Sequence, residues 1–201
     1  GADTVVLSTP YYFPAGQTEL SQYIQRMLPE LALPVMLYNM PSLTKVWFEK
    51  PTLEGLLKEE KIVGIKDSSG DLDYFENLLE LKKDRPDWSL FVGPEEKMIQ
   101  AVEMGASGGV NGGANVYPRL FVGAYEAAVS GDKVRADRLQ KTIVAFGQIY
   151  EIGQYTSRFI KATKCAASIL DLCGDCMAEP FNRFNIEDRK RVESILQSLN
   201  F

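Results

Sequence analysis

Short apolar runs recur along the first half of the chain, and each run is followed by small or polar residues. Each run is four to six residues long, which is too short for an ordinary helix and typical of a strand buried in a parallel sheet. The predicted strands are Thr4–Thr9, Pro34–Tyr38, Ile62–Lys66, Ser89–Gly93 and Gly108–Asn111. The first four end at positions 9, 38, 66 and 93. This nearly constant interval indicates repeated strand–helix units.

The segments between the runs have the periodicity of amphipathic helices. In the first segment, Leu20, Ile24 and Leu28 recur at a spacing that places them on one helix face. The predicted helices are Gln17–Leu31, Thr52–Leu57, Asp71–Lys83 and Glu95–Met104. Because strands and helices alternate, the pattern predicts βαβ units and a parallel sheet.

After the fifth strand, the pattern predicts helices alone. They are Pro118–Ser130, Lys133–Tyr150, Phe159–Leu172 and Ile186–Leu199. These helices form a C-terminal annex to the α/β body, and the pattern indicates no second domain. An open, doubly wound sheet and part of a (β/α)8 barrel both fit this order, so both architectures stay open at this point.

Composition narrows the classes of partner. The chain has 201 residues, 45% of them hydrophobic, and a formal net charge of -5. Its basic residues are scattered, which argues against binding to nucleic acid or to an anionic membrane. No run approaches the roughly 18 consecutive apolar residues of a membrane span. We therefore expect a small, soluble ligand.

The chain contains no histidine, and this excludes catalytic triads, imidazole bases and His-ligated zinc. Three cysteines without a framework spacing favour a reducing, cytoplasmic setting. Cys173 and Cys176 form a CxxC motif, but it lies between late helices and has no second pair, so we interpret it as an incidental loop. We expect neither a metal nor a cofactor.

Lys66 is the most unusual residue at a strand end. Strict alternation would place Ile62 and Gly64 on its face of the strand. A lysine at the end of an apolar strand is desolvated, which favours the neutral amine that attacks a carbonyl. One interpretation is therefore Schiff-base catalysis. The other is a structural lysine paired with Asp67 or a nearby glutamate, and the spacing alone does not favour either.

Aromatic and glycine-rich segments mark the other strand ends. Tyr38 ends the strand before that of Lys66 and could relay protons, although a buried, structural tyrosine is the commoner case. Tyr11 and Tyr12 follow the first strand in a loop. The glycines of residues 105–113 match no phosphate-binding motif and favour close backbone approach to a small ligand or tight barrel geometry.

Taken in order, the strand-end motifs resemble the dihydrodipicolinate synthase and N-acetylneuraminate lyase family. The motifs are TPYYF, LPVMLYNMP, VGIKDSSGD, FVGPEE and GASGGVNGGANVYPRL. The resemblance covers essentially the whole chain and implies a (β/α)8 TIM barrel, here from the fourth to the eighth strand, with a C-terminal helical annex. Residues 1–130 would be the later part of the barrel and residues 131–201 a helical extension of the same domain.

The resemblance also implies catalytic roles. Lys66 would form an imine with the C2 carbonyl of pyruvate or another 2-oxo acid, and Tyr38 would relay protons beside it. Tyr12 would cross a dimer interface to complete the relay of a neighbouring subunit, which implies a homodimer or homotetramer. The backbone of Val110 would lie beside bound pyruvate.

Other matched positions concern the choice of substrate. Synthases of the family carry an arginine where this chain has Leu43, and leucine cannot grip a second carboxylate. The lyases commonly carry a leucine there. Gly112 stands where those lyases carry a serine, which argues against sialic acid itself.

The acidic pair after the fourth strand resembles that of the lyases. Glu95 and Glu96 follow Gly93, and carboxylates accept hydrogen bonds from a polyhydroxylated substrate. Ser68 matches a hydroxyl that the lyases carry two residues after the lysine. These four positions are the predicted substrate-binding residues beside Val110.

The resemblance favours a lyase that reversibly cleaves a 2-oxo-3-deoxy sugar acid to pyruvate and an aldehyde. Dihydrodipicolinate synthase is the alternative, and a dehydratase of keto-deoxy acids stays open. A protein that binds 2-oxo acids without turnover is the non-enzymatic alternative. Because a closed barrel has more strands than the five predicted here, we expect the chain to be a segment of a longer protein and inactive in isolation.

Overall fold

The computed structural model describes residues 1–199, which divide into two compact units. The sheet unit is Gly1–Val110, and the helical unit begins at Asn111. This division lies earlier in the chain than residue 130, where the barrel part was expected to end. That residues 131–201 extend the same domain stays a prediction.

The sheet unit contains five parallel strands. They are β1 Val5–Ser8, β2 Val35–Asn39, β3 Ile62–Asp67, β4 Ser89–Val92 and β5 Gly108–Gly109. Their order in the sheet is the order in the chain, β1-β2-β3-β4-β5. A doubly wound sheet reverses its strand order part-way, whereas a barrel adds each strand beside the one before it. The topology therefore favours a segment of a barrel.

Five α-helices connect or follow these strands. They are α1 Gln17–Glu30, α2 Pro41–Thr44, α3 Lys50–Leu56, α4 Leu72–Leu81 and α5 Met98–Met104, the last preceded by a 3₁₀ turn at Glu95–Lys97. The apolar stripe of α1 is buried, as its periodicity predicts. Helix α4 begins after Asp71, because this carboxylate accepts the backbone N–H of Tyr74 and caps the helix. The sequence pattern missed α2, a single turn that Pro41 begins.

The two faces of the sheet differ in burial. On the face that the helices cover, Leu37, Ile65 and Leu90 are fully buried. On the other face, Val6 is 61% exposed, and Tyr38 is only half-buried. The core of the sheet unit therefore lies between the strands and the helices.

A register shift in β3 corrects the alternation expected around Lys66. Ile62 pairs with Val35, but the next residue of β2, Met36, pairs with Gly64. Because one residue of β3 is skipped, Ile62 lies on the helix-covered face. The prediction that Ile62 shares a face with Lys66 is therefore wrong.

Gly64 has a positive φ of 152°, and a Cβ atom there would lie 1.9 Å from the carbonyl oxygen of Ser89. The bulge therefore requires glycine at this position, since any side chain would collide with the backbone of β4.

The helical unit contains α6 Pro118–Ser130, α7 Lys133–Gly147, α8 Arg158–Ile169 and α9 Ile186–Ser198, with 3₁₀ turns at Gly112–Asn115 and Gln148–Glu151. Gly131 ends α6 in the left-handed region, and Asp132 caps α7 by accepting the N–H of Arg135. Phe146 is fully buried and packs edge-on against Phe121. None of the helices described in residues 1–199 has the length and apolar character that crossing a membrane requires.

Candidate active site

Tyr38 and Lys66 lie side by side at the carboxyl ends of β2 and β3. The two residues are paired in the register of the parallel strands, so their side chains project from the same face of the sheet. The Nζ atom of Lys66 lies 4.4 Å from the centroid of the Tyr38 ring. Both side chains are half-buried. The structure thus brings together the amine and the phenol that the sequence singled out.

Asp67 does not pair with Lys66, because successive residues of a strand point to opposite faces. The Asp67 side chain lies on the helix-covered face and is 1% exposed. The ion pairs described within residues 1–199 do not include Lys66. The structural interpretation of Lys66 as the partner of a carboxylate therefore has no support in the fold.

The sequence pattern missed a buried polar pair directly behind Tyr38 and Lys66. Asn39 is fully buried, and its Nδ2 donates a 2.7 Å hydrogen bond to Oδ1 of Asp67. The backbone N–H and the hydroxyl of Ser69 also donate to the Asp67 carboxylate. The available signal was a polar residue at the end of each of two adjacent buried strands.

Burial raises the pKa of the Asp67 carboxyl, and the hydrogen bonds from Asn39 and Ser69 oppose part of that rise. The nearby Tyr74 phenol donates a 2.6 Å hydrogen bond to the carbonyl oxygen of Phe48. Burial, together with the charge of Asp67, raises the pKa of Tyr74 as well. Tyr74 therefore keeps its proton and acts as a donor.

Ser68 and Gly93 meet at the ends of β3 and β4. A Cβ atom on Gly93 would lie 2.0 Å from the Ser68 hydroxyl oxygen, so only glycine leaves room for this side chain. The backbone N–H of Gly93 donates a 2.7 Å hydrogen bond to the Asp67 carbonyl. The structure thus places two of the predicted substrate-binding residues in contact.

The remaining predicted substrate-binding residues lie at two neighbouring strand ends. Glu95 is half-buried and Glu96 is exposed, both in the 3₁₀ turn that follows β4. Val110 follows β5, is 50% exposed, and its N–H donates a 2.9 Å hydrogen bond to the Val92 carbonyl. These residues stand at the same edge of the sheet as Lys66, since the carboxyl ends of parallel strands share one edge.

Tyr12 lies in the loop after β1, and its side chain is 85% exposed. Its ring packs edge-on against Phe13, which is 81% exposed. No hydrogen bond or ring contact joins Tyr12 to Tyr38 or Lys66 within residues 1–199. The structure of this single chain therefore does not bring Tyr12 into the site.

The structure also locates Leu43 and the three cysteines. Leu43 lies on α2 and is 60% exposed. Cys173 and Cys176 are exposed free thiols, and Cys165 is a buried one. Within residues 1–199, no group of three or more cysteine, aspartate or glutamate side chains is arranged to hold a metal ion.

Comparison with known proteins places these observations in a family. The sequence model of the dihydrodipicolinate synthetase family matches residues 1–199. The chain is 34% identical over 154 residues to a "probable 2-dehydro-3-deoxy-D-pentonate aldolase" of Escherichia coli, a match that covers 76% of this chain and 51% of the relative. It is 33% identical over 137 residues to a 4-hydroxy-tetrahydrodipicolinate synthase of Staphylococcus haemolyticus, covering 68% of this chain and 46% of the relative.

A solved dihydrodipicolinate synthase of Bacteroides thetaiotaomicron superimposes with a TM-score of 0.94 and 44% identity, over 98% of this chain and 67% of that one. A 2-keto-3-deoxygluconate aldolase variant of Sulfolobus solfataricus superimposes with a TM-score of 0.84 at 17% identity and shares the fold; the match covers 97% of this chain and 64% of that one. These proteins are TIM barrels, so the chain has the fold of a barrel segment. The chain spans about half the length of the two curated relatives named above.

Proposed function

Since this chain belongs to the dihydrodipicolinate synthase family, we propose that it supplies the Schiff-base lysine and proton-relay tyrosine of a carbon–carbon lyase. The observation that carries the proposal is the placement of the Lys66 Nζ atom 4.4 Å from the Tyr38 ring centroid at the carboxyl ends of adjacent strands. The substrate class is a 2-oxo-3-deoxy sugar acid, and the products are pyruvate and an aldehyde.

The reaction requires no group beyond the side chains and water. The neutral Lys66 amine attacks the C2 carbonyl, and loss of water leaves a protonated imine. Tyr38 accepts the proton of the C4 hydroxyl while the electron pair of the C3–C4 bond moves toward the iminium nitrogen, which gives an enamine and releases the aldehyde. Protonation at C3 and hydrolysis then return pyruvate and the free lysine. We assign Tyr38 as the general acid and base for these proton transfers because its ring lies beside the amine, on the neighbouring strand.

We assign recognition of the aldehyde half of the substrate to residues at the neighbouring strand ends. Glu95 and Glu96 offer carboxylates to the hydroxyls of a sugar acid, and Ser68 adds a hydroxyl against Gly93. The exposed Leu43 offers no charge to a second carboxylate. The relative named as a pentonate aldolase supports this substrate class.

The second candidate is 4-hydroxy-tetrahydrodipicolinate synthase, which joins pyruvate to aspartate semialdehyde. The 44% identity to the Bacteroides synthase favours it. Leu43 argues against it, because an apolar side chain cannot make the bidentate contact that arginine makes with a carboxylate. A Leu43→Arg variant supplies this contact, so it should gain condensation of pyruvate with aspartate semialdehyde if the second candidate is correct.

The assembly and location belong to the same proposal. We expect a cytoplasmic homodimer or homotetramer in which Tyr12 completes the site of a neighbouring subunit. The support is the row of exposed aromatic side chains after β1, where Tyr11, Tyr12 and Phe13 are 74%, 85% and 81% exposed. Contiguous exposed aromatic surface of this kind marks protein interfaces.

Reductive trapping tests the proposal directly. The full-length protein is incubated with pyruvate and borohydride, and peptide mass spectrometry locates the adduct. We expect the adduct at Lys66, none in Lys66→Arg, and an unchanged adduct in the control Lys58→Arg, which alters an exposed lysine. An adduct at another lysine, or none in the wild-type protein, would overturn the proposal. Turnover of 2-oxo-3-deoxy sugar acids against condensation with aspartate semialdehyde then separates the two candidates.

A further inference from the structure

The buried Asn39–Asp67 pair lies one residue beyond Tyr38 and Lys66 on the same two strands. The strand register pairs Tyr38 with Lys66 and Asn39 with Asp67. Because alternate residues point to opposite faces, the first pair lines the half-exposed face and the second lies among the helices. Any displacement of the second pair therefore moves the backbone that carries the first.

Each residue of the pair makes further hydrogen bonds to other parts of the chain. Besides donating to Asp67, Asn39 accepts a 3.1 Å hydrogen bond at Oδ1 from the backbone N–H of Phe48. Asp67 accepts from Ser69 at 2.8 Å and 3.2 Å. Buried polar groups of this kind are costly to leave unsatisfied, so each partner constrains the position of the others.

Backbone hydrogen bonds at the same two residues tie three strand ends together. The carbonyl of Asn39 accepts a 2.8 Å hydrogen bond from the N–H of Ser68, and the carbonyl of Asp67 accepts a 2.7 Å hydrogen bond from the N–H of Gly93. The side-chain pair therefore stands where β2, β3 and the end of β4 are joined. It is placed to fix the spacing between the residues that precede it.

We propose that Asn39 and Asp67 are positioning residues that hold the Tyr38 ring and the Lys66 amine in their observed relative position. They act from the helix-covered face, through the backbone of β2 and β3, and do not touch the substrate. The proposal rests on the function proposed above. A misplacement of reacting groups by about 1 Å costs on the order of a hundredfold in rate, so this constraint has a measurable consequence.

The pattern of donors and acceptors makes the two positions unequal. Asn39→Asp would place a second carboxyl group where the native amide lies 2.7 Å from the Asp67 carboxylate. Two carboxyl groups this close cannot both be ionised. Asp67→Asn keeps an acceptor for Asn39 and turns its amide toward the Ser69 hydroxyl. The reciprocal exchange, Asn39→Asp with Asp67→Asn, restores a donor opposite an acceptor and leaves only the longer Ser69 contact unmet.

The experiment measures kcat and KM for pyruvate formation in the full-length wild type, the two single variants and the reciprocal exchange. We expect Asn39→Asp to lower kcat about a hundredfold with little change in KM. Asp67→Asn should lower kcat only several-fold, and the exchange should recover most of the loss. Activity of Asn39→Asp should also rise as the pH is lowered, because two carboxyls can share one proton. The control is Asp84→Asn, which removes an exposed carboxylate.

Amide hydrogen exchange gives a second measurement that does not depend on activity. Hydrogen exchange of the Ser68 and Gly93 amides should accelerate in Asn39→Asp and return toward the wild-type rate in the double variant Asn39→Asp with Asp67→Asn. A loss of kcat in the double variant equal to the sum of the two single losses, or a wild-type kcat in the folded fraction of Asn39→Asp, would overturn the positioning role. Failure of the proposed function is separate, since it appears as a wild-type protein without a pyruvate adduct.

Discussion

The carboxyl ends of β2 and β3 contrast with the loop that follows β1. At the first location, Asn39 and Asp67 are almost completely buried and joined by a direct hydrogen bond. At the second location, Tyr12 and Phe13 are exposed and pack against each other. Both locations carry motifs of the same family. The structure of one chain organises the first location fully and leaves the second open to solvent.

The difference follows from where the partners of each residue lie. Tyr38 and Lys66 meet because hydrogen bonds between adjacent strands set their register. Tyr12 stands on a loop, and its proposed role requires a second subunit. Strand pairing within one chain is thus enough to position Tyr38 and Lys66. A residue that acts across an interface also needs the neighbouring subunit.

Removal of the Tyr38 hydroxyl should have the largest effect. In Tyr38→Phe the ring beside the Lys66 amine remains, but the proposed proton relay is lost, so we expect kcat to fall about a hundredfold. Steady-state kinetics on the full-length protein measure the loss. Tyr23→Phe alters a half-buried tyrosine of α1 and should retain the wild-type kcat. A Tyr38→Phe variant with equal activity would show that another group transfers the proton.

The glycine at the bulge of β3 should give the next largest effect. In Gly64→Ala the new Cβ would lie 1.9 Å from the Ser89 carbonyl oxygen, so we expect the free energy of unfolding to fall by at least about 2 kcal/mol. In the control Gly55→Ala, in α3, the new Cβ would meet no heavy atom within 4 Å outside the backbone of its own helix, and the change should stabilise the protein by about 0.5–1 kcal/mol. Urea unfolding monitored by circular dichroism distinguishes these directions.

The buried carboxyl of Asp67 should make stability depend on pH. Burial raises its pKa in the folded state, so the folded state binds this proton more tightly than the unfolded chain. The resulting stabilisation is present below the unfolded pKa of about 4 and is lost as the pH rises through the folded value. The free energy of unfolding of Asp67→Asn, relative to that of the wild type, should therefore increase as the pH rises from acidic to neutral. Chemical unfolding across that range measures the difference, and a constant difference would contradict the shift.

Truncation of the exposed tyrosine should have the smallest effect on the chain itself. Tyr12→Ala should change the free energy of unfolding of one subunit by less than about 0.5 kcal/mol, because the ring is exposed. The same change should lower the mass measured by sedimentation if Tyr12 lies in an interface. An unchanged mass together with an unchanged kcat would remove Tyr12 from the proposed site.

The sequence predicted the strand ends well because apolar runs bounded by polar residues report burial directly. The predicted ends at Tyr38 and Lys66 lie one residue before the observed ends of β2 and β3. That one residue is Asn39 in one strand and Asp67 in the other. A polar side chain signals the end of an apolar run, so the pattern stopped where a buried polar pair continues each strand.

Two further features escaped the sequence pattern for identifiable reasons. The need for glycine at the Gly64 bulge comes from the backbone of Ser89 on the neighbouring strand. The periodicity of the sequence contains no information about that contact. Helix α2 is a single turn set by Pro41 and ended by the left-handed Lys45, and it is too short to show a helical period. Both features are consequences of close contacts between segments distant in the chain or of local backbone geometry.

By itself, the sequence determined the alternation of strands and helices, the family motifs, and the pairing of one lysine with one tyrosine on neighbouring strands. Apolar spacing and strand order are enough for these, because they depend on periodicity and on the parallel βαβ connection. Only the tertiary structure decided which face of β3 carries Ile62 and which polar groups are buried behind Tyr38 and Lys66. Those outcomes depend on register and on hydrogen bonds between strands, which are set when the segments pack together.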